Sequence, residues 1–188
     1  RISDKEFSKS FINQILGGTR TIETISISRT KNDINNLSFE NFPVVLKPTH
    51  SSGRKIIVSN IEELNSARQT LKKWLSHDYF FSSFEKNYEG MEKKVISERY
   101  LEESYYLEGS VHCRHGKAKI VSLINRHTKE RESFSISKLP LGVSLNFPLK
   151  KLNYDNLDFF SELILDSEKL AFDFTYIRVD FYTDGKNI

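Results

Sequence analysis

Residues 44–53 of this 188-residue chain, VVLKPTHSSG, combine a lysine with a loop of small residues. Lys47 ends an apolar run suited to a buried strand, which would place a fixed cation at the mouth of a cleft. Ser51, Ser52 and Gly53 would let the loop backbone approach a phosphate closely and donate N–H groups to it. The spacing is not that of the P-loop, in which GxxxxGK precedes Ser or Thr. A plain hairpin with an edge lysine would show the same pattern, so the segment alone leaves both interpretations open.

A second segment, ISERYLEE at residues 96–103, joins a strand pattern to acidic residues. A strand that runs out into a connector can present its backbone C=O and N–H groups to the edge of an adenine. The carboxylates just beyond it could accept hydrogen bonds from ribose hydroxyls. Taken alone, the segment also fits an ordinary strand with a charged end.

A third segment, YIRVDFYTDG at residues 176–185, carries a pair of opposite charges. Arg178 and Asp180 are two residues apart, so in a strand they face the same side, while the apolar residues between and beside them face a core. Such a pair could serve a phosphate and a magnesium ion. An ordinary salt bridge is the alternative for this segment on its own.

Helices and strands of a mixed fold would position these three segments. Apolar residues at helical spacing predict three helices, two of which begin at the capping patterns of Ser3 with Glu6 and Asn60 with Glu63. The first predicted helix ends at Gly17 and Gly18, the second follows Asn60, and the third covers residues 155–171. The predicted strands cover residues 21–28, 42–47, 56–58, 95–101, 107–113, 118–124 and 176–182; residues 32–41 are predicted as a linker, residues 128–153 as mostly loop, and Asp184 with Gly185 as a hairpin turn.

Composition and charge limit the classes of function. Hydrophobic residues make up 38% of the chain and charged residues 28%, a balance typical of a folded protein in water. No apolar stretch approaches the ~20 residues that cross a bilayer, and the first residues lack a signal-peptide pattern. The single cysteine, Cys113, excludes an internal disulfide and fits a reducing compartment, so we expect a cytoplasmic location. Because the net charge is only +3 and the basic residues are dispersed, we expect no nucleic-acid partner.

In their order and spacing, the three segments resemble the ATP-grasp superfamily. The likeness is closest to the ATP-grasp proteins associated with teichuronopeptide and cell-surface polysaccharide biosynthesis in bacteria. It runs from SDK at residues 3–5 through VVLKPTHSSG, WLSHDYF and VISERYL to YIRVDFYTDG, which is nearly the whole chain. The resemblance implies an α+β ATP-grasp fold, in which two lobes with antiparallel sheets and flanking helices close on a nucleotide cleft. It divides the chain into an N-terminal helix and linker at residues 1–39, a smaller lobe with phosphate loop and hinge at 40–104, and a larger, C-terminally incomplete lobe at 105–188.

The resemblance also implies roles toward ATP for individual residues. Lys47 would contact the phosphates, and Lys5 would be a second lysine on the nucleotide side. Ser51, Ser52 and Gly53 would form the loop that closes over the phosphates. The hinge would be Glu98, Arg99, Tyr100 and Leu101, with the Arg99 carbonyl and the Leu101 N–H binding adenine. Glu108 would bind the ribose, and Arg126 would lie near the phosphates.

Catalytic and metal-binding roles follow from the same resemblance. Arg178 would stabilise an acylphosphate, Lys47 would act with it on the phosphoryl group, and Asp180 would bind Mg²⁺. The family's next strand normally supplies a Glu, and often an Asn, to the magnesium ions, and that strand would follow Ile188. We therefore expect the chain as written to bind nucleotide but to turn it over poorly.

Two departures from the family pattern stand near these positions. Ser110 lies where close relatives often carry lysine, and His50 with Ser51 replaces the more usual His-Gly.

The function that the resemblance implies is a ligation that uses MgATP. ATP would phosphorylate a carboxylate, and an amine would then capture the acylphosphate to give an amide. The acceptor would be a small molecule or saccharide that carries a carboxylate, with polysaccharide-assembly proteins as candidate partners. Two alternatives stay open: a kinase that acts on a sugar hydroxyl, and a non-catalytic scaffold module that binds nucleotide.

Overall fold

The structure, a computed structural model, describes residues 1–18, 20–143, 152, 157–185 and 188. The chain divides into a first unit, Arg1–Leu101, and a second unit, Glu102–Ile188. Each unit contains a four-stranded antiparallel sheet with helices beside it, which confirms the predicted α+β class. Among the described residues, no helix is both long and apolar enough to cross a membrane.

The sheet of the first unit presents two different faces. Its strands are β1 (Thr24–Ser28), β2 (Val44–Pro48), β3 (Ile56–Val58) and β4 (Val95–Arg99), in the order β1-β4-β2-β3. Val44 and Leu46 of β2 point into an apolar core. Lys47 and Glu98 share the opposite face, because Val45 lies directly across from Glu98 and residues two apart in a strand face the same side.

The long helix of the first unit covers the apolar face of this sheet. Helix α3 (Ile61–Ser76) buries Leu64, Ala67, Leu71 and Trp74, which recur at three- and four-residue spacing. Asn60 caps it by accepting the Glu63 N–H at 2.9 Å, as predicted. The Glu63 carboxylate accepts the N–H of Ser59 instead of that of Asn60.

Two predictions for the first 40 residues need correction. Helix α1 (Lys5–Leu16) is capped by Asp4 and not by Ser3, because the Asp4 carboxylate accepts the N–H groups of Glu6 and Phe7. The predicted linker at residues 32–41 contains most of a short helix, α2 (Lys31–Asn35). The Asn-rich composition concealed its capping box, formed by the pair Thr30 and Asp33, and its single buried residue, Ile34.

Two shorter helical segments, α4 (Phe80–Ser83) and a 3₁₀ turn at Lys86–Tyr88, lead from α3 to β4.

The described residues of the second unit form a sheet with one helix packed against it. Its strands are β5 (Leu107–Arg114), β6 (Lys117–Asn125), β7 (Arg131–Ser135) and β8 (Tyr176–Thr183), in the order β7-β6-β5-β8, and α5 is Phe160–Ala171. Strand β7 lies in the segment predicted as mostly loop. Its inward-facing residues include the polar Glu132 as well as Phe134, so an apolar alternation is missing. Residues 144–151 and 153 of that segment, and 155–156 of the predicted third helix, lie outside the described residues.

Strand β5 gives the second unit its polar and apolar faces. Leu107, Val111 and Cys113 belong to the buried core, whereas Glu108, Ser110 and His112 alternate with them toward the other face. Gly109 completes the apolar series opposite Phe181 of β8. The Phe181 ring occupies the space beside this glycine: a Cβ added at Gly109 would lie 2.1 Å from the Phe181 Cζ atom. The centres of the Phe181 and Phe159 rings are 6.5 Å apart. The absence of a side chain at Gly109 therefore makes room for an aromatic ring in the core.

We predict that Gly109→Ala lowers the free energy of unfolding by about 1–3 kcal/mol, because the added methyl group forces the Phe181 ring out of its position. Urea unfolding of the chain measures this change. In a Phe181→Ala background the same substitution should change stability by less than about 1 kcal/mol, since the clash is gone. Equal losses in both backgrounds would contradict the packing argument.

Candidate functional site

A buried carboxylate and two lysines form the centre of a charged group in the first unit. Glu98 is only 3% exposed. Its Oε2 atom lies 2.5 Å from the Nζ of Lys47, and its Oε1 atom lies 2.6 Å from the Nζ of Lys9. Lys9 was not among the residues predicted from the sequence.

A third lysine lies beside this pair. Lys5 precedes Lys9 by four residues, so helix α1 presents both on one side. The Lys5 ammonium donates hydrogen bonds to the backbone carbonyls of Pro48, at 2.9 Å, and Ser51, at 2.5 Å. We call Lys5, Lys9 and Lys47 with Glu98 the lysine cluster. The four-residue spacing was the available sequence signal for Lys9.

The lysine cluster has more positive than negative charge, and its pKa values reflect this. Burial and the neighbouring charge of Lys47 lower the pKa of Lys5 to about 8. Burial also lowers the pKa of Lys9, although Glu98 opposes the change. At Glu98, burial raises the pKa, but the two ion pairs outweigh it and leave it below its usual value. An anion is therefore the ligand that this cluster favours.

The predicted phosphate loop starts where β2 ends, next to the lysine cluster. Its first part is buried: His50 is 3% exposed and Ser51 is 1% exposed. The His50 Nε2 atom lies 3.1 Å from the Trp74 carbonyl oxygen, and burial lowers the pKa of this histidine. Ser52 and Gly53 are exposed, and Gly53 has a φ of 70°, a conformation that glycine adopts readily. The tip of the loop is therefore accessible from solvent.

The predicted hinge lies at the end of β4. The Arg99 N–H donates to the Glu23 carbonyl at 3.0 Å, and the Arg99 side chain is 72% exposed. Tyr100 and Leu101 follow without regular structure, and Leu101 is the last residue of the first unit. The Glu98 side chain, which was assigned to the same hinge, is taken up by the lysine cluster.

The second unit carries a separate polar group on the β5–β8 face. Arg178 forms a two-point ion pair with Asp180: Nε to Oδ1 and Nη2 to Oδ2 are both 2.7 Å. The Ser110 hydroxyl donates to the same Oδ1 at 2.8 Å from its place opposite Asp180. The predicted placement of Arg178 and Asp180 on one strand face is confirmed.

The remaining predicted positions extend this polar face. Glu108 is exposed and lies opposite Tyr182 of β8. Arg126 follows β6, donates from Nη1 to the Tyr105 carbonyl at 2.7 Å, and holds its guanidinium 5.1 Å from the centre of the Tyr182 ring. At the other end, the His112 Nδ1 lies 2.8 Å from the Tyr176 hydroxyl. Sequence reasoning assigned no function to Tyr182, His112 or Tyr176.

Asp180 was predicted to bind magnesium. The described residues contain no group of three or more His, Cys, Asp or Glu side chains that could hold a metal ion. Mg²⁺ commonly uses one or two carboxylates and completes its octahedron with phosphate oxygens and waters. Asp180, whose side chain is 50% exposed, fits such an ion if Arg178 releases one of its oxygens.

Comparison with solved structures defines the class of fold. The chain is similar to the D-alanine–D-alanine ligase from Bacillus anthracis complexed with ATP (20% identity, TM-score 0.58, 98% of this chain and 50% of that chain). It is also similar to the ATP-grasp ligase PsnB with a phosphomimetic variant of minimal precursor, Mg and ADP (10%, 0.51, 97% and 45%). A third similar structure is the L-amino acid ligase from Bacillus licheniformis (11%, 0.51, 98% and 38%). These likenesses confirm the ATP-grasp fold, and the chain spans half or less of each of these proteins.

The family follows from the sequence itself. A model described as TupA-like ATPgrasp matches residues 1–188, so the chain belongs to the TupA-like ATP-grasp family. No curated protein matches the chain.

We predict that Lys5 makes stability depend on pH above pH 8. Between pH 8 and 10.5 the unfolded chain keeps the Lys5 proton and the folded chain loses it, so the free energy of unfolding contributed by this group rises with pH. The full rise is about 3 kcal/mol, at 1.36 kcal/mol for each unit of pKa change. Below pH 8 the group is protonated in both states and contributes no slope.

The measurement compares urea unfolding of the wild type and Lys5→Met from pH 7.5 to 10.5. Titrating groups that do not interact with Lys5 cancel in the difference between the two proteins. The wild type should gain stability relative to Lys5→Met across this window. Parallel curves would show that the Lys5 pKa is not lowered by folding.

Proposed function

We propose that this protein is an MgATP-dependent carboxylate–amine ligase that acts through an acylphosphate. The observation that carries the proposal is the lysine cluster beside the exposed tip of the loop at Ser52 and Gly53, in a chain of the ATP-grasp family. Three ammonium groups around one carboxylate leave an excess of positive charge. A polyphosphate is the kind of ligand that such an excess, with the backbone N–H groups of the loop nearby, would bind.

Lys47 and Lys5 contact the ATP phosphates in this proposal. Lys47 is fixed by strand β2, and Lys5 is tied to the start of the loop through the Ser51 carbonyl. A phosphate bound at Lys5 would therefore also position the loop. Ser51, Ser52 and Gly53 supply backbone donors when the loop closes.

The adenosine half is assigned to the hinge and to the start of β5. The Arg99 carbonyl and the Leu101 N–H bind the adenine edge, with Tyr100 between them, and Glu108 accepts hydrogen bonds from the ribose. The exposed carboxylate of Glu108 supports this role. Glu98 and Arg126 are the remaining nucleotide-site residues of the proposal. Glu98 acts by pairing with the lysines of the lysine cluster, and Arg126 lies near the phosphates.

Arg178 and Asp180 serve the chemical step. Asp180 would hold Mg²⁺, which neutralises phosphate charge when it is bound. Arg178 stabilises the negative charge that develops on the transferred phosphoryl group and on the acylphosphate. Their two-point pair keeps both side chains in place on β8, and Ser110 holds the shared oxygen of Asp180.

The acceptor carries a carboxylate, and an amine captures the acylphosphate to release phosphate and form an amide. We place this reaction in the cytoplasm, where ATP is available, and in bacterial cell-surface polysaccharide biosynthesis. The ligases among the similar structures, which include those named for D-alanine and L-amino acids, support carboxylate–amine ligation as the class of reaction.

We predict that Lys47→Ala weakens ATP binding by about ten- to a hundredfold, because a charge-assisted hydrogen bond contributes about 1.5–3 kcal/mol. Isothermal titration calorimetry with ATP measures the change. Lys31→Ala is the matched control: it removes the same charge from an exposed position on α2 and should leave affinity unchanged. An unaltered affinity in Lys47→Ala would remove this lysine from the nucleotide site.

We also predict that Asp180→Asn leaves ATP affinity within about threefold of the wild type but lowers turnover by about a hundredfold, as loss of one contact to developing charge does. ADP release by the full-length protein is measured with a carboxylate and an amine present together and separately. Release that needs both supports the ligase. A phosphorylated sugar would point to a kinase instead, and ATP binding without turnover would point to a scaffold module.

A further inference from the structure

Glu98 has two lysine partners, and they occupy different oxygens. Lys47 binds Oε2 at 2.5 Å and Lys9 binds Oε1 at 2.6 Å. The Glu98 side chain is 4% exposed, so water cannot replace a lost partner freely. A carboxylate at such a position needs at least one charged partner to stay ionised without a large penalty.

Phosphate binding by Lys47 conflicts with this requirement. If the Lys47 ammonium moves toward a phosphate, its 2.5 Å contact with Glu98 lengthens and the pairing of this carboxylate weakens. If Lys47 were the sole partner, each phosphate bound would leave a buried carboxylate unpaired, and that penalty would reduce affinity. A second lysine on the other oxygen removes the conflict.

The contacts of Lys9 suit it to pairing with Glu98 and not to binding the phosphate itself. Its ammonium contacts Glu98 and also donates to the backbone carbonyl of Ile22, so two of its three donors are engaged in the described structure. Lys47 has the single described contact with Glu98. One lysine is therefore held on two sides and the other is free to change partner.

Resting on the proposed function, we propose that Lys9 is a positioning residue that keeps Glu98 paired while Lys47 leaves it for a nucleotide phosphate. The charged groups around Glu98 agree with this exchange. Lys5 of α1 and Lys47 of β2 contribute positive charge, Asp4 contributes negative charge near Lys5, and β1 places the uncharged Thr24 opposite Glu98. Glu98 also opposes the lowering of the Lys5 and Lys9 pKa values by burial, and so favours their charged forms.

A double-mutant cycle of Lys9→Met and Glu98→Gln tests the exchange. ATP and inorganic tripolyphosphate are titrated into the whole chain by calorimetry at pH 7, below the Lys5 pKa of about 8. Lys9→Met should weaken binding of both ligands about tenfold, a size typical of energetic coupling between sites. In the Glu98→Gln background, where no carboxylate is left unpaired, Lys9→Met should change affinity by less than about threefold. Equal losses in the two backgrounds overturn the proposal.

Two further variants separate this effect from damage to the fold. Lys9→Arg keeps the charge on Glu98 and should bind ATP within about threefold of the wild type, since the pair is maintained. Lys31→Met removes an exposed lysine and should have no effect. A tenfold loss in Lys9→Arg, with an unchanged melting temperature, overturns the proposal.

The result also separates this inference from the proposed function. If the wild type binds no ATP, the proposed function fails. If the wild type binds ATP and Lys47→Ala weakens it, but the Lys9 cycle shows no coupling, the function stands and the inference fails.

Discussion

The buried charge of Glu98 is the constraint on which the first unit depends. A carboxylate at 3% exposure is stable only when cations meet it, and they come from two elements, β2 and α1. Helix α1 buries no side chain fully, so apolar packing contributes little to its position. Polar contacts provide the attachment: Lys9 to Glu98, Lys5 to the carbonyls beside the phosphate loop, and Glu6 to the buried Lys94 at 2.6 Å. The groups that favour an anion are thus among the groups that hold the helix.

In the second unit, apolar packing and strand alternation position the charged residues. Its sheet has a buried face against α5, and alternation along β5 and β8 sends Ser110, Arg178 and Asp180 to the other side. Gly109 lets the Phe181 ring enter the core beside the strand that carries Ser110. Here apolar packing fixes the strands, and the strands fix the charged pair.

Local periodicity was sufficient for much of this arrangement. The alternation in β8 placed Arg178 and Asp180 together, and the spacing of apolar residues identified α3. The contact between Lys47 and Glu98 joins residues 51 apart, and it depends on the register of β2 against β4, which no local pattern encodes. Lys9 was missed because its contact joins helix α1 to β4; its four-residue spacing from Lys5 indicates a shared helix side but not this partner. Resemblance to a family could assign Glu98 to a nucleotide site, but it could not indicate what its side chain contacts.

Each unit contains an ion pair at its polar group, Lys47 with Glu98 in the first and Arg178 with Asp180 in the second. The two carboxylates differ in what can replace the cation if it moves away. Asp180 is half exposed and has the Ser110 hydroxyl as a further partner, so water and a neutral donor can solvate it when Arg178 turns away. Glu98 is buried, so in the proposed exchange Lys9 keeps it paired when Lys47 leaves. Among the described contacts, the exposed carboxylate pairs with one cation and the buried carboxylate with two. The third lysine, Lys5, differs from both, because its ammonium donates to backbone carbonyls and not to a carboxylate. Its charge can therefore act on a bound anion without breaking an ion pair.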